Sequence, residues 1–145
     1  MIYIKFLFLI LFLADFSSAY ACKPGDLQKY IKFEENTSQL GADKALDLVM
    51  WFLYWRDDRG ISYAIIFANS NKDDKKSQKL TDERLKNISK LLNNIAGVTR
   101  KIDYINSPIQ AKSKQDADYS FNTVEISIQP KCSETNSCCG GGGRR

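Results

Sequence analysis

The side chains able to do chemistry are few, and their spacing points to binding rather than catalysis. The sequence contains no histidine. It therefore lacks the usual group for acid–base work near neutral pH and the base of a hydrolytic triad. Carboxylates occur as adjacent pairs, Glu34-Glu35, Asp57-Asp58 and Asp73-Asp74, each in a polar stretch. Such pairs read as solvated charges, since nothing argues that any of them is buried. The cysteines, Cys22, Cys132, Cys138 and Cys139, stand at the two edges of the chain with no histidine to activate them. They lack the paired Cys-x-x-Cys spacing of a zinc site, and no metal is expected. The glycines at 140–143 follow the last strand-like segment, so they cannot form a phosphate cradle before a helix. No enzyme and no cofactor are expected. The net charge of +4 comes from well-mixed signs, without a basic stripe interleaved with aromatics, so no nucleic-acid partner is expected.

The N-terminus sets the compartment. Lys5 precedes an apolar run, Phe6 to Leu13, and Ala19-Tyr20-Ala21 follows. This is the n-region, h-region and Ala-x-Ala pattern of a signal peptide, residues 1–21, cleaved after Ala21. The apolar run is too short for a comfortable membrane span, and no transmembrane segment is expected after cleavage. A periplasmic or secreted product follows. A lipid-bearing Cys22 is disfavoured, because Ala19 stands where a lipobox carries Leu. In an oxidising compartment the cysteines pair by default, and four of them allow three connectivities. Cys22–Cys132 would staple the ends of the fold and leave Cys138 and Cys139 as a vicinal pair or as intermolecular links. Residues 22–130 suit one domain with one core. Residues 131–145, polar and glycine-rich, read as a flexible tail.

The elements that must position these groups follow from periodicity. Leu27–Phe33 alternates as a strand. Ala42–Trp55 reads as a helix with Leu46, Val49 and Leu53 on one face. Its second half, LVMWFLYW, is apolar all round. Trp51, Phe52, Tyr54 and Trp55 are thus either core or a partner-binding patch. Ile61–Ala68 reads as a central strand, rich in β-branched and aromatic residues. Residues 69–79 read as a lysine-rich loop. Thr81 is the expected N-cap of a second helix, with Leu80 and Leu85 as a hydrophobic staple. Leu85, Ile88, Leu91, Leu92 and Ile95 form its buried stripe, and Gly97 its stop. Residues 100–105 read as a strand, 106–119 as a polar loop, and 121–129 as the last strand, ended by Pro130. The expected fold is an α/β two-layer sandwich, β-α-β-α-β-β, with two helices on one face of a mixed four-stranded sheet.

From Ile31 to Ile128 the sequence resembles the OmpA-like (Pal/MotB-type) peptidoglycan-binding domain. IKFEENTSQL resembles that family's opening strand and loop, KLTDERLKNISKLLNNIAGV its second helix, and FNTVEISI its last strand. The resemblance implies that the first and last strands are antiparallel neighbours. Cys22 would then lie near Cys132, and their disulfide would close almost the whole chain, for roughly 4–5 kcal/mol in the loop-entropy model.

The resemblance also implies a ligand, the zwitterionic end of diaminopimelate. An Asp after the second strand takes its ammonium, and an Arg early in the second helix takes its carboxylate. Arg84 falls on the Arg position. Ser70 falls on the Asp position; Asp73 or Asp74, slightly later in the same loop, could supply the carboxylate if that loop curls back. Phe121-Asn122-Thr123 falls on an Asn-Arg-Arg segment, so those arginines are absent. A missing charge-assisted contact is worth of order 1.5–3 kcal/mol. Peptidoglycan binding is therefore expected to be weak, altered or lost. Two functions remain in view. One is a cell-envelope module that contacts the stem peptide through Arg84. The other is a protein-interaction partner of immunity or inhibitor type, using the aromatic run and the lysine-rich loop.

Overall fold

A computed structural model describes residues 27–97 and 101–134. The expected signal peptide, Cys22, Cys138, Cys139 and the glycine-rich end of the tail lie outside the described residues.

Alternating apolar residues build four strands: β1 (Gln28–Lys32), β2 (Ile61–Asn71), β3 (Lys101–Ile109) and β4 (Thr123–Pro130). They form one sheet in the order β1-β4-β2-β3. β4 runs antiparallel to β1 and β2, and β3 parallel to β2. The first and last strands are thus antiparallel neighbours, as the resemblance implies. Ile31, Ala64, Ile66, Ala68, Val124, Ile126 and Ile128 fill one face of the sheet. Two helices, α1 (Ala42–Asp58) and α2 (Lys75–Ala96), cover that face. The two-layer α/β class holds.

Three local expectations are corrected. The buried face of α1 is Leu48, Phe52 and Trp55, while Leu46 is exposed. An all-apolar helix gives its periodicity no phase, and the large ring of Phe52 wins the interior. Second, α2 does not start after Thr81. Asp74 is its N-cap and accepts from the Lys76 amide at 2.8 Å. The polar run Lys75–Lys79, read as loop, is the first solvated turn. Thr81 lies inside the helix, buried, with its hydroxyl on the Asn69 carbonyl at 3.4 Å.

Third, the polar stretch after residue 105 is ordered structure. β3 runs on to Ile109, and a short helix, α3 (Lys114–Asn122), leads into β4. β3 is an edge strand, where Pro108 and polar residues are tolerated. Ser113 caps α3 by accepting from the Asp116 amide at 3.1 Å. The buried stripe of α2 agrees with expectation: Leu85, Ile88 and Leu92 are enclosed, and Leu91 and Ile95 pack against them. Gly60, at φ 67°, turns the chain from α1 into β2, and a Cβ there would meet Lys131 Cδ at 3.1 Å.

Beyond β4 the chain continues as a 3-10 turn, Lys131–Ser133, so the first residues of the expected tail are structured. Cys132 lies in that turn and is not a free thiol. No helix among the described residues is long and apolar enough to cross a membrane.

Candidate functional site

Arg84 organises one end of the molecule. Its side chain projects from the middle of α2 and is only 1% exposed. Nε donates to the Thr37 carbonyl at 2.7 Å, and Nη2 to the Glu34 carbonyl at 2.9 Å. Nη1 donates to the Phe121 carbonyl at 2.8 Å and to Asn122 Oδ1 at 3.1 Å. The guanidinium also lies 4.9 Å from the centre of the Phe33 ring, within cation–π range. Burial lowers its pKa, but an arginine remains charged in a protein. Arg84 therefore ties the β1–α1 loop and the α3–β4 junction to α2. Asn87 adds a second tie to that loop, its Nδ2 donating to the Ser38 carbonyl at 2.8 Å.

This knot forms the floor of a pocket of about 210 Å³. Asp74, Lys76, Arg84, Glu35 and Asn122 line it, together with the small hydroxyls Ser77 and Thr81. Of the expected ligand residues, Asp74, Arg84 and Asn122 come together here. Asp74 arrives because α2 begins about two turns earlier than the sequence suggests. Glu35, Lys76 and Ser77 were not singled out in the sequence. Lys76 and Ser77 sit in the stretch that reads as loop, and Glu35 in a pair that reads as solvent-facing.

Ser70 and Asp73 do not join them. Ser70 is fully buried and donates to Asn106 Oδ1 at 2.7 Å. Asn106 Nδ2 then donates to Asp82 Oδ1 at 2.9 Å, so the chain of bonds links β2, β3 and α2. Asp73 is exposed and does not line the pocket. Its backbone amide is held by Asn71 Oδ1 at 3.0 Å.

The aromatic run divides between core and surface. Phe52 and Trp55 are core, Trp51 is partly buried against it, and only Tyr54 is exposed, at 62%. Tyr54 shares the outer face of α1 with Leu46 and Met50, at four-residue spacing. Among the described residues, no group of acids and cysteines is arranged to hold a metal ion.

No family model matches the sequence, and no curated protein matches it either. Solved structures do. The C-terminal domain of Helicobacter pylori MotB superposes with a TM-score of 0.55 at 14% identity, covering 77% of this chain and 92% of that one. The OmpA-like domain of FopA1 from Francisella tularensis gives 0.53 at 14% identity, covering 75% and 80%. The peptidoglycan-associated lipoprotein from Burkholderia pseudomallei gives 0.51 at 13% identity, covering 70% and 90%. At such identities the likeness is one of fold, and it agrees with the strand order and helix placement described above: the chain has a divergent OmpA-like fold.

Proposed function

We propose that this protein is an exported cell-envelope binding module whose pocket takes the amine-and-carboxylate end of a peptidoglycan stem peptide, with modest affinity. The observation that carries this reading is the convergence of Asp74, Arg84 and Asn122 on one pocket. The likeness in fold to a peptidoglycan-associated lipoprotein supports it. The chemistry is altered from the arrangement that the resemblance implies. Arg84 already serves four protein acceptors, so it has no open fork for a bidentate carboxylate. The charges at the pocket wall are Asp74, Glu35 and Lys76. Asp74 and Glu35 take the ligand's ammonium, and Lys76 takes its carboxylate as a point charge. Exposed partners of this kind give weaker contacts than a buried clamp. Export, cleavage after Ala21 and a periplasmic location belong to the same reading.

The test is co-sedimentation of the oxidised protein, residues 22–145, with purified diaminopimelate-type sacculi. Asn is as good an N-cap as Asp, so Asp74→Asn removes the charge while keeping the start of α2. The wild type is expected to pellet, and Asp74→Asn to bind roughly tenfold more weakly or worse. A folded wild type that stays in the supernatant would overturn the reading. A second function, protein interaction of immunity or inhibitor type, would then stand. It is favoured by the exposed apolar stripe Leu46, Met50 and Tyr54 on α1.

A further inference from the structure

The sheet face turned away from α1 and α2 carries a cleft of different chemistry. Strand pairing sets Tyr30 opposite Glu125, Glu125 opposite Phe67, and Phe67 opposite Ile105. Their neighbours Ile31, Ile66, Ala68, Val124 and Ile126 are core, so these four residues point to the other face. Glu125 thus stands between two aromatic side chains in one row. α3 reaches over the end of that row and adds Tyr119. The result is a cleft of about 90 Å³ lined by Tyr30, Phe67, Tyr119, Thr123 and Glu125.

Three features are unusual for a surface with only a structural role. Among the described residues Glu125 has no ion-pair partner. Lys32, on the same face of β1, pairs with Asp118 instead, at 2.9 Å. The Thr123 hydroxyl oxygen is buried without a hydrogen-bond partner. Tyr30 and Tyr119 are both more than half exposed, at 54% and 60%, although they flank an apolar ring.

We propose that this cleft binds an alkylammonium group. Aromatic faces attract a cation through their quadrupole, and a carboxylate beside them adds the countercharge. The cleft suits a single ammonium head better than a ring. Thr123 offers an acceptor to an ammonium that carries N–H. The ligand is a lysine-type side chain or a quaternary head group, which share this chemistry. The site lies on the sheet face turned away from α1 and α2 and shares no lining residue with the Asp74 pocket, although α3 contributes to both.

The experiment is an NMR titration of the oxidised protein, residues 22–145, at constant ionic strength. The probes are choline and Nα-acetyl-lysine methylamide, with sodium chloride as the control. Either probe is expected to shift the ring signals of Phe67 and Tyr119, where sodium does not. Choline alone acting identifies a quaternary head group, and the lysine probe alone identifies a lysine-type side chain. Glu125→Gln is expected to weaken binding about tenfold, and Tyr119→Ala to weaken it comparably. Asp74→Asn is expected to leave it unchanged. The proposal is overturned if neither probe moves these signals. It is equally overturned if folded Glu125→Gln and Tyr119→Ala proteins bind as the wild type does.

Discussion

Arg84 Nη1 donates to Asn122 Oδ1 across 3.1 Å. The contact joins the middle of α2 to the point where α3 becomes β4, and it defines what Arg84 does. Asn122 Nδ2 in turn donates to Asp118 Oδ1 at 3.0 Å. Arg84 is thus linked to the Asp118 carboxylate through an amide. The guanidinium is buried among carbonyls and one ring, and it holds the pocket floor in place.

Arg84→Ala is expected to destabilise the fold by about 3 kcal/mol, because it empties a buried site and leaves four part-buried acceptors without their donor at once. Arg84→Lys is expected to recover little of this. An ammonium is a point charge and cannot span the carbonyls of Thr37, Glu34 and Phe121. Urea unfolding followed by circular dichroism measures both. Values within about 1 kcal/mol of the wild type would rule out the knot as a stability determinant.

Much of this architecture was legible in the sequence. The β-branched run of β2 and the stripe Leu85, Ile88, Leu92 of α2 gave their elements unambiguous periods. The start of α2 was not legible. Thr81 with its acidic neighbours imitates a cap, whereas Asp74 caps a first turn that is polar on every side. α3 was hidden for a similar reason, since none of its residues is fully buried. Arg84 was visible as a candidate, but its acceptors are backbone carbonyls, which side-chain patterns do not encode. The approach of Asp74 to Arg84 followed from the earlier helix start and was hidden with it.

Ser70→Asp would restore the acid that the family resemblance places there, yet it is not expected to restore a ligand site. The position is fully buried, and its hydroxyl serves the Asn106 oxygen, with Asp82 one bond further on. A carboxylate there would face that oxygen and lose its hydration, for about 2–4 kcal/mol. Its folded-state pKa would rise above the unfolded value. The deficit should therefore be largest near neutral pH and shrink on acidification. A deficit that grows as pH falls would contradict the assignment.

The aromatic run of α1 makes a sharp contrast testable. Phe52→Ala removes a fully buried ring and should cost about 3–5 kcal/mol. Met50→Ala, on the exposed face, should stay within about 0.5 kcal/mol. Thermal or urea midpoints decide it. A large loss at Met50 would mean that its face is covered in solution.

The antiparallel register of β1 and β4, with the Ile128 amide on the Leu27 carbonyl at 3.0 Å, brings the start of β1 beside the end of β4. It makes a Cys22–Cys132 disulfide the expected pairing. Non-reducing peptide mapping would identify it. Cys22→Ser should then cost roughly 4–5 kcal/mol in the loop-entropy model. Recovery of Cys132 linked to Cys138 or Cys139 instead would refute the pairing.

Acid should loosen α3 before the rest of the fold. Asp116 accepts from the Lys112 amide at 2.9 Å and from Ser120 Oγ at 3.1 Å, and these bonds hold its pKa below the ordinary 3.8. Asp118 is depressed likewise, first by its hydrogen bond from Lys32 and then by that from Asn122. Between the folded and ordinary values the unfolded segment binds more protons than the folded one. Their stabilisation is therefore complete above 3.8 and is lost as pH falls through the depressed values. Hydrogen exchange should show α3 amides losing protection in that range while β2 amides retain theirs. Asp118→Asn should remove the part that depends on Lys32. Tyr119 directly follows Asp118 in α3, so alkylammonium binding at its ring should weaken over the same range. If α3 and β2 lose protection together, these two carboxylates do not govern the helix.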